Sequence, residues 1–182
     1  DTNTRALELA KALKRIERFN RVDYYDPYPY QQKFHKTGSE ANQRLLMAAN
    51  RIGKSFSGAA EMSYHLTGIY PDWWKGRRYS QPITAWAGGV SNETTRDIVQ
   101  YELLGSPDDP DAFGSGAIPK NKIIKTERKP GVPNAKSVAL IQHVSGGNSS
   151  LHFKAYEMGV DKWQGRSVDC IWLDEEPSRE LY

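Results

Sequence analysis

Residues 48–55 read AANRIGKS, and no other stretch restricts the fold of this chain so tightly. The pattern of a phosphate-binding loop is G-x-x-x-x-G-K-[ST]. Gly53, Lys54 and Ser55 match it, and Ala48 stands at the first glycine position, where a small residue still permits the turn. The context expected of such a loop is an apolar strand before it and a helix after it. The strand-to-helix turn then aims consecutive backbone N–H groups, here from Ala48, Ala49, Asn50, Arg51, Ile52 and Gly53, at one point. The helix N-terminus adds partial positive charge there. The apolar run 44–49, RLLMAA, is expected to be the buried strand, and Ser55–Leu66 the helix, stopped by Gly68 and Pro71. Lys54 is expected to reach the β- and γ-phosphates of a nucleoside triphosphate, and the Ser55 hydroxyl to hold Mg2+. Arg51, inside the loop, has two readings: a sensor of the γ-phosphate or of a neighbouring subunit, or a solvated side chain.

A second constellation lies far downstream. Residues 168–173 form a short apolar run that leads directly into Asp174, Glu175 and Glu176. A buried strand there delivers the acids to its C-terminal edge, where open α/β sheets bind their ligands. Asp174 is expected to hold the Mg2+ ion, largely through water, and Glu175 to polarise the attacking water as general base. Glu176 should point away. Upstream of the loop, Tyr28 and Gln31 offer a ring to stack on adenine and an amide that matches its donor–acceptor edge; Tyr30 and Gln32 are close competitors.

The rest of the chain frames these motifs. Residues 2–19 place Ala6, Leu9, Leu13 and Ile16 on one helical face. The prolines of 23–30 exclude a helix interior, and a short helix is expected near Tyr30. Pro82–Ala87 reads as a buried strand and Asn92–Leu104 as a helix. Residues 105–135 read as a long irregular excursion, and Ser137–Val144 with Ser150–Tyr156 as a hairpin. Strands alternating with helices predict an α/β domain with a mostly parallel sheet flanked by helices.

Composition narrows the options. The 182 residues fit one domain, and 25 basic against 22 acidic side chains permit contact with a polyanion without demanding it. The single cysteine, Cys170, excludes an intrachain disulfide. No apolar run approaches the roughly 20 residues that span a bilayer. His35, His65, His143 and His152 show no zinc-ligand spacing with Cys170. Lys120, Lys122, Lys125, Arg128 and Lys129 face one acid, Glu127. That stretch reads equally as a phosphate-tracking loop or as a solvated basic one. Trp73, Trp74 and Trp86 read as packing anchors more than as base-stacking rings.

The stretches PYPYQQKF, MAANRIGKSFSGAAEMSYHLTGIYP, WAGGVSNET and KWQGRSVDCIWLDEEP span most of the chain from Tyr28 to Pro177. In them the chain resembles the ATPase domain of bacteriophage terminase large subunits. The resemblance implies a RecA-like P-loop NTPase of the additional-strand, catalytic-glutamate type. In that family a small residue at position 48 is normal, and the loop arginine often sits one place earlier, where Asn50 stands here. The implied catalytic set is Glu175, Lys54 and Arg51, with ATP as substrate and Mg2+ as cofactor. The implied function is ATP hydrolysis that drives double-stranded viral DNA into a procapsid. The implied partners are double-stranded DNA, the portal protein and procapsid, the small terminase subunit and a homo-oligomeric ring, with no membrane. The expected location is the host cytoplasm, docked at the procapsid portal during assembly, and not the mature virion. A ring implies a trans-acting arginine, for which Arg96 and Arg166 are candidates. Residues 1–182 would then be an ATPase domain, with the family's coupling motif and RNase H-like nuclease domain outside this chain. The start at Asp1 and the end at Tyr182, just after the acidic motif, fit that expectation. From the residues alone, a helicase-like P-loop ATPase and a nucleotide-binding subunit without turnover remain open.

Overall fold

Small residues flanking one tryptophan suit Thr84–Gly89 (β1) to an interior strand of the sheet, because only a flat, uncrowded surface lets a helix lie close on it. The computed structural model describes residues 2–165 and 167–181. In it β1 is flanked by two parallel neighbours, Asn148–Ala155 (β4) and Cys170–Leu173 (β5). Ile123–Arg128 (β2) and Lys136–Gln142 (β3) extend the sheet, for an order β2-β3-β4-β1-β5. β3 runs antiparallel to both β2 and β4. The sheet is therefore mixed, which corrects the expected mostly parallel one: the hairpin of β3 and β4, itself expected, reverses direction and β2 continues the reversal.

Side-chain alternation sorts the two faces. Ala85 pairs with Leu151 and Ala87 with Phe153, while Leu151 pairs with Ala139 on its other side. These residues share one face. There they form the main core with Ala59, Met62 and Leu66 of Lys54–Thr67 (α3) and with Val99, Leu103 and Leu104. The last three belong to a helical segment, 92–104, that passes from an α-turn through π-helical Thr95–Gln100 back to α. On the opposite face Trp86 meets Trp163 edge-to-face at 5.7 Å. The Lys154 ammonium lies 3.9 Å from the centre of the Trp86 ring. Trp74 and Trp86 are both buried, so they anchor packing as expected.

Two more segments depart from the sequence pattern. Residues 44–49 form no strand; Leu45 and Met47 are 72% and 80% exposed. An apolar run becomes a buried strand only when it joins a ladder, and among the described residues this one does not pair with the open edge of β5. The excursion 105–135 contains β2, whose alternation is hidden because it is an edge strand with mostly exposed charged side chains. The rest of the excursion folds back on the helical segment: Ala117 and Ile118 donate backbone hydrogen bonds to the carbonyls of Glu102 and Leu103. Thr2–Phe19 (α1) is helical as its periodicity predicts. Its apolar ridge of Leu9, Leu13 and Ile16 is exposed among the described residues.

Pro29–Thr37 (α2) begins with proline in its first turn, where no N–H is required. It is tied to α3 through a buried polar cluster. Glu61 of α3 meets His35 at 2.7 Å and His65 at 3.3 Å, and accepts a 2.5 Å hydrogen bond from Arg44. Burial opposes the Glu61 charge, but the hydrogen bonds from His35, His65 and Arg44 outweigh it and hold its pKa well below the ordinary 4.5. A depressed carboxylate contributes stability above its unfolded pKa and loses it as pH falls through the folded value. Glu61→Gln should therefore lower unfolding free energy at pH 7 by about 3–5 kcal/mol, the cost of stripping one partner from a buried charged cluster. Denaturant titrations should show that deficit shrinking as the pH is lowered below 4.5. Gly58 of α3 reports on the helix–sheet approach: a Cβ built there would sit 2.7 Å from the Trp172 indole of β5. Overpacking costs about 1–3 kcal/mol, against about 1 kcal/mol of helix propensity gained. Gly58→Ala should thus be net destabilising in thermal unfolding.

Candidate nucleotide-binding site

The turn into α3 is built on Gly53, whose backbone is left-handed at φ 83° where it caps the helix. Glycine adopts that conformation without steric penalty. Two residues earlier Arg51 is also left-handed, at φ 63°, which is uncommon for a residue with a side chain. Lys54 opens the helix, and its ammonium donates hydrogen bonds to the carbonyls of Ala48 and Ala49 at 2.6 and 2.8 Å. The loop is thus curled around its own cation. Arg51 and Asn50 are exposed.

The two motifs that lie far apart in sequence meet here. Ser55, in the first turn of α3, donates to Asp174 Oδ1 at 3.2 Å across 119 residues of chain. β5 brings Asp174 to this point, and its backbone N–H donates to the Gly88 carbonyl at 2.8 Å, continuing the pairing of β5 with β1. Burial pushes the Asp174 pKa up and Glu175 adds to the rise; the Ser55 hydroxyl and the Lys54 charge oppose it. Glu175 is exposed and left-handed at φ 67°. Three non-glycine residues among those described have positive φ, and two of them, Arg51 and Glu175, belong to this site. Such conformations cost about 1–3 kcal/mol each and persist where surroundings enforce them. Tyr156 supplies part of that enforcement. Its hydroxyl lies 2.9 Å from the Asp174 carbonyl and 3.0 Å from that of Glu175, donating to either. Sequence inspection passed over Tyr156, since a tyrosine closing a strand carries no signal of a contact to residues so far along the chain.

α2 braces the loop from the other side. The Tyr30 hydroxyl donates to the Ile52 carbonyl at 2.5 Å, and Gln31 Nε2 donates to the Gly53 carbonyl at 3.2 Å. Gln31 is 2% exposed, and its Oε1 accepts from the Tyr28 backbone N–H at 2.8 Å. The Tyr28 ring is 61% exposed and stacks on that of Tyr30 at 5.9 Å between centroids. Gln31 thus links α2 to the phosphate loop, while Tyr28 presents an open aromatic face beside it. Gln32 is instead turned back to the Pro27 carbonyl.

The remaining candidates are dispersed. The Arg96 guanidinium pairs with Asp97 at 2.6 Å and donates to the Pro133 carbonyl at 3.1 Å. Arg166 lies outside the described residues. The basic stretch falls on β2 and its flanks, at the sheet edge opposite β5. Part of its charge is engaged locally: Lys125 pairs with Glu127 at 3.1 Å, and Lys120 lies over the Phe19 ring.

Ser55 and Asp174 offer a hydroxyl and a carboxylate side by side, a hard-oxygen donor pair. That set suits Mg2+, which takes few protein ligands and completes its shell with phosphate oxygens and water. Among the described residues no group of three or more His, Cys, Asp or Glu gathers as a metal cage.

Comparison with known proteins converges on one family. Residues 45–182 match the model of the terminase large subunit, T4likevirus-type, N-terminal region. The chain is 36% identical to the terminase large subunit of Salmonella phage P22, over 97% of its own length and 39% of that relative's. No solved structure matches it. A chain aligned almost end to end at that identity, and matched by the family model over most of its length, belongs to the terminase large-subunit family, in its N-terminal region.

Proposed function

We propose that this chain is a P-loop ATPase domain that powers the packaging of double-stranded viral DNA. The observation that carries the proposal is the 3.2 Å contact between Ser55, on the helix after the phosphate loop, and Asp174, at the end of the acidic strand. A loop that gathers backbone N–H groups and a lysine supplies one half of such a site, and a carboxylate at a sheet edge the other.

The residues divide the work. Backbone amides of Ala48–Ser55 and the N-terminus of α3 receive the phosphates. Lys54 leaves the carbonyls of Ala48 and Ala49 to neutralise the β- and γ-phosphates. Ser55 and Asp174 hold Mg2+, which when bound draws charge from the phosphate oxygens. Glu175 accepts a hydrogen bond from water and aligns it with the γ-phosphorus. As the new P–O bond forms, the bond to the bridging oxygen breaks, ADP departs, and the water proton passes to the Glu175 carboxylate. Tyr156 steadies this acid by holding its backbone carbonyl. The exposed Tyr28 ring stacks on adenine, and Gln31 couples that side of the site to Gly53. Arg51, exposed in the loop, faces the γ-phosphate or an adjoining subunit.

Family membership supports a reading of the larger assembly as well. This domain works within a homo-oligomeric ring on double-stranded DNA, with the portal protein, the procapsid and the small terminase subunit as partners, in the host cytoplasm. The chain spans 39% of the P22 relative, and nuclease activity belongs to the longer protein.

Two substitutions test the site. Lys54→Ala should weaken ATP binding at least about tenfold in calorimetry, since one lost charge-assisted contact to phosphate is worth about 1.5–3 kcal/mol; unchanged affinity would refute the phosphate role. Glu175→Gln should bind ATP normally yet hydrolyse it about 10²–10⁴-fold more slowly in steady-state assays, the usual contribution of a general base. Equal turnover by the two proteins would remove Glu175 from the mechanism.

A further inference from the structure

The buried cluster around Glu61 lies outside the reacting groups, yet it is joined to every segment that shapes the phosphate loop. Arg44 precedes Ala48 on the upstream arm, and Glu61 follows Ser55 on the downstream helix. Arg44 reaches Glu61 with both guanidinium nitrogens, at 2.5 and 3.3 Å. It also donates to the Phe34 carbonyl of α2 at 2.9 Å, and its guanidinium lies 4.6 Å from the centre of the Phe34 ring. A Cβ on Gly38 would come within 2.9 Å of that guanidinium, so the end of α2 leaves room for it. His35, which meets Glu61 Oε2 at 2.7 Å, lies one helical turn after Gln31 on the same side of α2. Its other ring nitrogen lies 3.2 Å from both Ser57 of α3 and Tyr25. One carboxylate therefore holds the upstream arm of the loop, the helix behind it and the helix that braces it.

The upstream arm has few other restraints. Residues 45–49 join no ladder. Among the described residues, the hydrogen bonds to them come from Lys54, to the carbonyls of Ala48 and Ala49. Those are the bonds Lys54 gives up when it turns to a phosphate. From then on the Arg44–Glu61 fork is the anchor that remains on that side.

We propose that Arg44 and Glu61 are positioning residues of the nucleotide site: their fork fixes the upstream arm of the loop against α2 and α3 while Lys54 is engaged by phosphate. This assignment rests on the phosphate-binding role proposed for Ala48–Ser55. A two-pronged guanidinium–carboxylate pair suits the task, because it fixes orientation as well as distance. Desolvating the charges makes such a pair a poor source of net stability, so a registry role is the better-attested use.

The test compares variants that strip the same carboxylate on different sides. Arg44→Gln removes the fork. His65→Gln removes a partner that leads instead to Tyr70, at 3.1 Å, and away from the loop. Calorimetry with ADP and Mg2+ on the full chain, well below either melting temperature, should give Arg44→Gln a dissociation constant raised at least about tenfold. His65→Gln should stay within about twofold of the parent even though it also melts earlier. In ATP turnover, KM should rise more than kcat falls for Arg44→Gln. The proposal is overturned if Arg44→Gln binds ADP within twofold of the parent, or if the two variants lose affinity alike. Should Arg44→Gln not fold, Arg44→Lys keeps the charge without the fork and is judged by the same criteria. Lys54→Ala separates the two levels. If it binds ADP normally, the phosphate role itself falls; if it fails to bind while Arg44→Gln binds normally, only the positioning role falls.

Discussion

The site depends on how closely α3 lies against β5. Gly58 has no side chain, and the Trp172 indole occupies the space a Cβ would take. That contact lets the first turn of α3 reach the end of the acidic strand, where Ser55 touches Asp174. The approach is made possible by β1, whose Ala85 and Ala87 pair with Cys170 and Trp172 of β5 and leave the covered face flat. A larger residue at any of these places would separate the hydroxyl from the carboxylate before it touched the chemistry. The distance between Ser55 and Asp174 is therefore set by packing several residues away from it.

A second layer of organisation is electrostatic. α3 is buried along most of its length, and within that buried surface it carries Glu61 and His65, a full helical turn apart. A carboxylate in such a place needs partners, and Arg44 and His35 provide them for Glu61 from two different segments. The helix that presents the phosphate loop is thus fixed by apolar contact toward the sheet and by directional polar contact toward α2. Apolar packing tolerates sliding and rotation more readily than a set of hydrogen bonds with defined geometry. The division suits a loop whose amides must converge on one point.

Much of this was legible in the chain itself, for local reasons. AANRIGKS and the run into Asp174 and Glu175 are contiguous patterns, and they meet because α3, which opens at Lys54, packs against β5. The hairpin of β3 and β4 was readable from alternation, and the helical segment 92–104 from its apolar spacing. What escaped was decided by neighbours. Leu45 to Ala49 looked like a strand because apolar residues promise burial, but a strand also needs ladder hydrogen bonds, and among the described residues this segment makes none to the edge of β5. β2 was hidden because an edge strand shows charges on both sides, so its period never appears. The antiparallel half of the sheet follows from β2 and the hairpin together, and the first of these was missing. Arg44, Glu61 and Tyr156 act through contacts distant in sequence, which leave no local trace. Glu61 and His65, polar on an otherwise buried helix, were the one available hint.

On the proposed role of Lys54, its curl onto the carbonyls of Ala48 and Ala49 makes phosphate binding an exchange and not a simple addition. An incoming anion must outcompete two acceptors that are already close and already oriented. The affinity expected on that proposal is the difference between two sets of hydrogen bonds, smaller than a count of ligand contacts would suggest. Such a competition favours a polyphosphate, which can engage the loop amides as well as the ammonium, over a lone inorganic ion that can engage only one of them. Selectivity of this kind comes from what the empty loop already satisfies by itself.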